Sequence, residues 1–161
     1  MRSLRIGPLL ASIAICVLFA LFGGALVGES LGAWYARLEK PWFLVPLWVF
    51  YIVGFVYYVL FATVLYRILV HVGDRRGRAN SLVLTIVVLF LNELWNYGFF
   101  GLESTLVGFL GIVVLLVPLT TLVVALRNYE RFSAMLVAVY WIWVLYDLAW
   151  TYELWRLNSA A

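Results

Sequence analysis

Residues 6–28 read IGPLLASIAICVLFALFGGALVG, an apolar run with no charged side chain, preceded by Arg2 and Arg5. The hydrocarbon core of a bilayer is ~30 Å thick, and a helix needs about 20 apolar residues to cross it. The run is long enough. A secretory signal also sets basic residues before an apolar stretch, but its central region covers only about 7–15 residues. Residues 6–28 are therefore expected to form a first transmembrane helix.

Four more runs of the same kind follow, at 47–70, 81–100, 105–126 and 132–157. The fold class they predict is an all-α membrane protein, a bundle of five transmembrane helices forming one domain over 1–161, with a long first loop at 29–46. Composition agrees. Of 161 residues, 66% are apolar or aromatic and 12% are charged, and the mean hydropathy is +1.05. A soluble domain carries about 25% charged residues, so half that share points to an exterior that faces lipid.

The formal charge of +3 does not suggest nucleic acid, because most basic residues flank apolar runs and no basic stripe with interleaved aromatics exists. Cys16 is the sole cysteine and His71 the sole histidine. An internal disulfide is excluded, no metal ligand set has the needed spacing, and no metal or cofactor is expected. No nucleophile–base pair stands out, so no catalytic residue is assigned.

The connections orient the bundle. Segment 29–46 holds Glu29, Arg37, Glu39, Lys40, Pro41 and Pro46 with several aromatics, and loops of such length in a compact domain tend to be functional. Residues 73–80, GDRRGRAN, read as an aqueous loop, 101–104 as a tight connection and 127–131 as a basic turn. Pro118 is expected to kink the fourth helix. Five crossings put Arg2, Arg5, Arg67, Arg75, Arg76, Arg78, Arg127 and Arg131 on one side, with Arg37, Lys40 and Arg156 on the other. By the positive-inside rule the N-terminus is cytoplasmic and the C-terminus outside, most simply in a cytoplasmic membrane.

Three acidic residues, Glu93, Asp147 and Glu153, fall within or near the spans. An ionised carboxylate at the bilayer centre costs a few kcal/mol, so such residues face a bundle interior or a wet cavity. Asp147 reads as the deepest, Glu93 as intermediate and Glu153 as near a helix end. Asn92, Trp95, Asn96 and Phe99 share one helical face, as do Tyr140, Trp143, Asp147 and Trp150. Glu153 lies ~120° around from Asp147 at 100° per residue, so the two are not a general acid–base pair. Asn92, Glu93 and Asn96 fit interhelical hydrogen bonding as well as a ligand site. Asp147, flanked by tryptophans, points to a cavity. The wealth of indoles, phenols and amides suits a flat, largely apolar ligand with polar edges.

The ordered set of motifs resembles one family over nearly the whole chain. Trp34-Tyr35-Ala36-Arg37-Leu38-Glu39-Lys40-Pro41, then Pro46-Leu47-Trp48-Val49-Phe50 and Tyr58, are similar to the first loop and second helix of the tryptophan-rich sensory protein family, which includes the translocator protein or peripheral-type benzodiazepine receptor. Asn92-Glu93-Leu94-Trp95 with Phe99-Phe100 resembles its third helix. Tyr140-Trp141-Ile142-Trp143-Val144 and Trp155-Arg156-Leu157-Asn158 resemble its last. The resemblance implies a five-helix bundle, commonly a homodimer, whose pocket beneath the first loop takes porphyrins and, in some members, sterols or aromatic drugs. Carried over by position, ligand-binding residues would be Trp34, Tyr35, Tyr58, Asn92, Trp95, Phe99, Trp143 and Asp147.

This chain departs from the family pattern at four positions. Gly54 stands where a Trp is usual, Val45 and Val139 where prolines are usual, and Asp147 where a small apolar residue is usual. Leu148, Tyr152 and Arg156 match a loose sterol-contact pattern, and Gly101, Gly108 and Gly111 offer close helix packing. The function so implied is an integral membrane receptor or sensor for a hydrophobic tetrapyrrole-like ligand. Alternatives are a transporter of porphyrin, sterol or another hydrophobic metabolite, a porphyrin-degrading activity, and a scaffold paired through its acidic residues.

Overall fold

A computed structural model describes residues 4–159; Arg2 lies outside the described residues. The long helices are α1 (Ile6–Val27), α3 (Leu47–His71), α4 (Arg75–Asn96), α5 (Thr105–Tyr129) and α6 (Arg131–Asn158), with a one-turn helix α2 (Ser30–Ala33) in the first loop. The five long helices are each long and apolar enough to cross a membrane. Among the described residues there is no strand.

The helices close a ring in the order α1, α3, α6, α5, α4, each packed on its two neighbours, with α3 also touching α4 across the middle. Cross-contacts fix which ends meet. The Arg5 amide donates to the Tyr66 hydroxyl at 3.3 Å, Arg67 bridges to Glu130 at 2.7 Å, and Tyr129 packs on Gly77. This basic end holds every described arginine except Arg37 and Arg156. At the other end, Asn158 of α6 pins the first loop by two bonds to the Glu39 backbone, at 3.0 and 2.9 Å.

Two expected connections are shorter than the sequence suggested. Residues 75–80 are helical and not loop, because the Asp74 carboxylate accepts from the Gly77 amide and starts α4 early. An acidic cap satisfies an orphan amide and meets the positive end of the helix dipole. Gly77 is required there, since a Cβ would come within 2.4 Å of the Tyr129 ring. The expected basic turn at 127–131 reduces to one residue, Glu130, which breaks α5 from α6. Its carboxylate caps α6 through the Ser133 amide at 2.7 Å and takes two bonds from Arg67, at 3.0 and 2.7 Å. The Arg67 guanidinium holds the Glu130 carboxyl down to about 2. α5 itself runs unbroken through Pro118.

The core at the basic end is aliphatic. Val64, Ile68, Leu119, Leu122, Leu126 and Val137 are wholly buried. The outer faces carry large exposed apolar side chains such as Leu21, Phe55, Val117 and Met135, a surface that acyl chains cover and water does not. α1 is the most lipid-facing helix: only Ser12, Cys16 and Gly23 are buried along its length.

Gly108 and Gly111, expected to offer a packing surface, are used within the chain. A Cβ at Gly108 would fall 2.2 Å from the Phe99 ring and one at Gly111 2.9 Å from Trp95. These two glycines let α5 approach α4. At this approach the Trp95 indole N–H donates to the Gly108 carbonyl at 2.8 Å.

Candidate functional site

At the loop end the helices leave a space between them. A cavity of about 340 Å³ lies between α1, α3, α4 and α6 and beneath α2, within the range of small-molecule sites. Each helix brings a different chemistry to it. α1 supplies small residues (Ala20, Gly23, Gly24), α3 the wall Phe50, Gly54, Tyr57 and Tyr58, α4 the amides Asn92 and Asn96 with Trp95, and α6 Tyr140, Trp143, Asp147 and Trp150.

The roof is the first loop, and it is held firmly. Lys40 turns its ammonium back to donate to the carbonyls of Tyr35, Ala36 and Leu38, at 3.0, 3.3 and 3.1 Å, over the Tyr35 ring at 4.9 Å. The Val45 amide donates to the Tyr146 hydroxyl at 2.9 Å. Tyr35 hangs into the cavity from this roof, and burial pushes its hydroxyl up to about 12. Trp42 stands 95% exposed on the outer side of the loop, where an indole anchors at a membrane interface.

Behind the lining lies a polar network centred on Glu93. Its carboxylate accepts from the Tyr58 hydroxyl at 2.8 Å, from Asn92 at 3.3 Å and from Asn96 at 2.9 Å. Tyr140 in turn donates to Asn92 Oδ1 at 2.8 Å. Glu93 is wholly buried within the bundle, and Asp147 is 8% exposed. The reason is on the facing helix: a Cβ at Gly23 would sit 1.8 Å from Glu93 Oε2. Only glycine leaves room for the carboxylate.

Asp147 faces the cavity directly. It accepts from the Trp150 indole at 2.7 Å, while the Thr151 hydroxyl binds the Asp147 carbonyl at 2.6 Å. Among the described residues, no Lys, Arg or His lines the cavity. The ion pairs among the described residues are Arg67–Glu130 and Arg156–Glu153, both away from it. Glu153 thus points to its helix-end partner and not to the site.

Six of the eight sequence-predicted site residues line the cavity: Tyr35, Tyr58, Asn92, Trp95, Trp143 and Asp147. Trp34 and Phe99 do not. Phe99 is wholly buried, stacked on Trp95 at 5.4 Å and edge-on to Trp34 at 5.2 Å. It lies in a wider π-type turn, Tyr97–Gly101, that follows α4. Such a turn carries an extra residue, so the i, i+7 spacing from Asn92 no longer sets its direction. Trp34 and Phe99 therefore support the roof from behind.

Several lining residues were not singled out from the sequence as site residues. Phe50, Gly54 and Tyr57 recur at i, i+4 and i+7 on one face of α3, a signal the aromatic richness of that helix obscured. Tyr140 and Trp150 share the Asp147 face. Tyr57 has a further peculiarity: it is 3% exposed, and its hydroxyl has no hydrogen-bond partner.

The sequence profile of the TspO/MBR family matches residues 12–156. A tryptophan-rich protein TspO of Archaeoglobus fulgidus is 30% identical over 97% of this chain and 100% of its own length. A protein of the same name from Chlorobaculum tepidum is 26% identical over 91% of this chain and 92% of its own. The protein CrtK of Rhodobacter capsulatus is 30% identical over 80% and 81%. With five membrane-crossing helices and these matches, the chain is an integral, multi-pass membrane protein and belongs to the TspO/MBR family.

Proposed function

We propose that the protein is a membrane receptor or sensor whose cavity under the first loop takes a flat, hydrophobic, tetrapyrrole-like ligand such as a porphyrin. The observation that carries this reading is the composition of the wall. Phe50, Tyr57, Tyr58, Trp95, Trp143 and Trp150 offer π faces around one space, with Asn92, Asn96 and Asp147 at its edges. Flat aromatic ligands gain most from such walls, and a few fixed polar groups set their orientation. A Cβ at Gly54 would meet nothing within 4 Å, which leaves width for a macrocycle entering edge-on.

The same reading places the N-terminus and the basic end on the cytoplasmic side of a cytoplasmic membrane, from the positive-inside bias. It takes the protein as a homodimer, as the family resemblance implies. Because Gly108 and Gly111 are occupied by Phe99 and Trp95, the partner would pack on another surface.

The test is a titration of detergent-purified protein with protoporphyrin, following tryptophan fluorescence and the porphyrin absorption band together, with Asp147→Ala in parallel. Saturable quenching at one site per chain, with an affinity that changes in Asp147→Ala, is the expected result. A signal that rises linearly in both proteins, as partition into micelles does, would refute the proposal.

A further inference from the structure

We infer that the cavity selects a ligand carrying a positive charge, an aromatic cation whose protonated or quaternary nitrogen sits between the Asp147 carboxylate and the surrounding rings. This rests on the reading of the cavity as a ligand site and adds the chemical class of the ligand.

Four observations converge on it. Asp147 presents a carboxyl to the cavity, with its donors coming from neutral indoles, that of Trp150 at 2.7 Å. A second carboxylate, Glu93, lies just behind the lining, with its hydrogen bonds coming from neutral groups. No basic side chain lines the cavity or pairs with either acid among the described residues. The Tyr57 hydroxyl, on the same wall, is buried with no hydrogen-bond partner.

A buried carboxyl is ionised at least cost beside a positive charge, and here two carboxyls have no basic partner among the described residues. A bound cation completes the set. Aromatic walls favour the same ligand, because a cation over the face of Trp or Tyr is attracted by the ring quadrupole, the more so when desolvated. Trp143, Trp150 and Tyr140 line the cavity together with Asp147. The Tyr57 oxygen can accept from an N–H of the ligand, which gives the orphan hydroxyl a partner. A tetrapyrrole with protonated ring nitrogens meets these demands, and so does an aromatic amine. A ligand that sets a carboxylate beside Asp147 would meet repulsion, so a porphyrin would turn its ring nitrogens and not its carboxylates toward that residue.

The experiment uses three rigid probes of nearly the same shape: N-methylacridinium, which is cationic at neutral and acidic pH, the neutral 9-methylanthracene, and anthracene-9-carboxylate. Each is titrated into the purified full chain in nanodiscs, with empty nanodiscs as the partition control. The cation should bind at least about tenfold more tightly than the neutral probe, a preference in the range expected of a desolvated cation beside a carboxylate and aromatic faces. The anion should bind weakest. Asp147→Asn should abolish the preference, and a thermal unfolding midpoint close to that of the native protein shows that the variant is folded. Equal binding of cation and neutral probe by the native protein, which needs no variant, overturns the inference. If that happens while protoporphyrin still saturates, the cavity remains a ligand site without charge selection. If no probe and no porphyrin saturates, the site reading falls and this inference with it.

Discussion

The two ends of this bundle are built on opposite principles. At the basic end, α3, α5 and α6 fill the centre with Val64, Ile68, Leu119, Leu122, Leu126 and Val137, none with any exposure. At the loop end the same bundle carries Phe50, Tyr57, Tyr140, Trp143 and Asp147 around an open space. Aliphatic side chains interdigitate without leaving voids. Rigid rings and buried amides fit less closely and hold a cavity open when their polar edges are satisfied. The Glu93 network does this with Tyr58, Asn92 and Asn96. One end therefore supplies stability, and the other gives up close packing for a binding space.

The difference between the ends can be broken first at the aliphatic one. Leu122→Ala removes a wholly buried side chain and should cost about 2–5 kcal/mol by the lost transfer energy and the cavity left behind. Denaturant or thermal unfolding in detergent would measure it. Ligand affinity per folded molecule should stay the same. An affinity loss as large as the stability loss would mean that the two ends are not separable.

The loop end can be probed through adjacent glycines. Gly23→Ala drives a Cβ into the Glu93 carboxylate, displacing it from its three donors, and should destabilise by about 1–3 kcal/mol. Gly24→Ala meets nothing within 4 Å and should leave stability within about 0.5 kcal/mol or raise it slightly. Equal effects of the two changes would show that the Glu93 network has no structural weight.

A smaller effect sharpens the basic end through pH. The Glu130 carboxyl is held at about 2 by Arg67, below its ordinary 4.5. A carboxyl depressed by folding contributes stability above its unfolded value and loses it as pH falls toward the folded one. Between pH 4.5 and 2 the protein should lose on the order of 1–2 kcal/mol from this pair, allowing for the partial exposure of Arg67. In Glu130→Gln that part of the acid dependence should vanish, and a curve parallel to the native one would count against the pair.

Much of this architecture was legible in the sequence, for physical reasons. Apolar runs of spanning length and basic residues at their ends report directly on a bilayer. Asp147 announced the cavity because a carboxylate deep in a span needs polar or wet surroundings that lipid does not supply. What stayed hidden depended on partners distant in sequence. Nothing near Glu93 says that Gly23, on a different helix, will make room for it. The helical start of α4 hung on a single cap by Asp74, and the direction of Phe99 on a π-type turn. The glycines of α5 announced close packing but not its partners, Phe99 and Trp95.

The most direct test of the division between the ends is amide hydrogen exchange on the full chain, with and without saturating protoporphyrin. The account predicts that the ligand slows exchange around residues 20–27, 31–35, 47–58, 92–100 and 140–150. It predicts no change at 64–71 and 115–126, which do not line the cavity. Protection appearing instead around Arg127 and Arg131, or spread evenly over the chain, would contradict the assignment of the loop-end cavity as the ligand site.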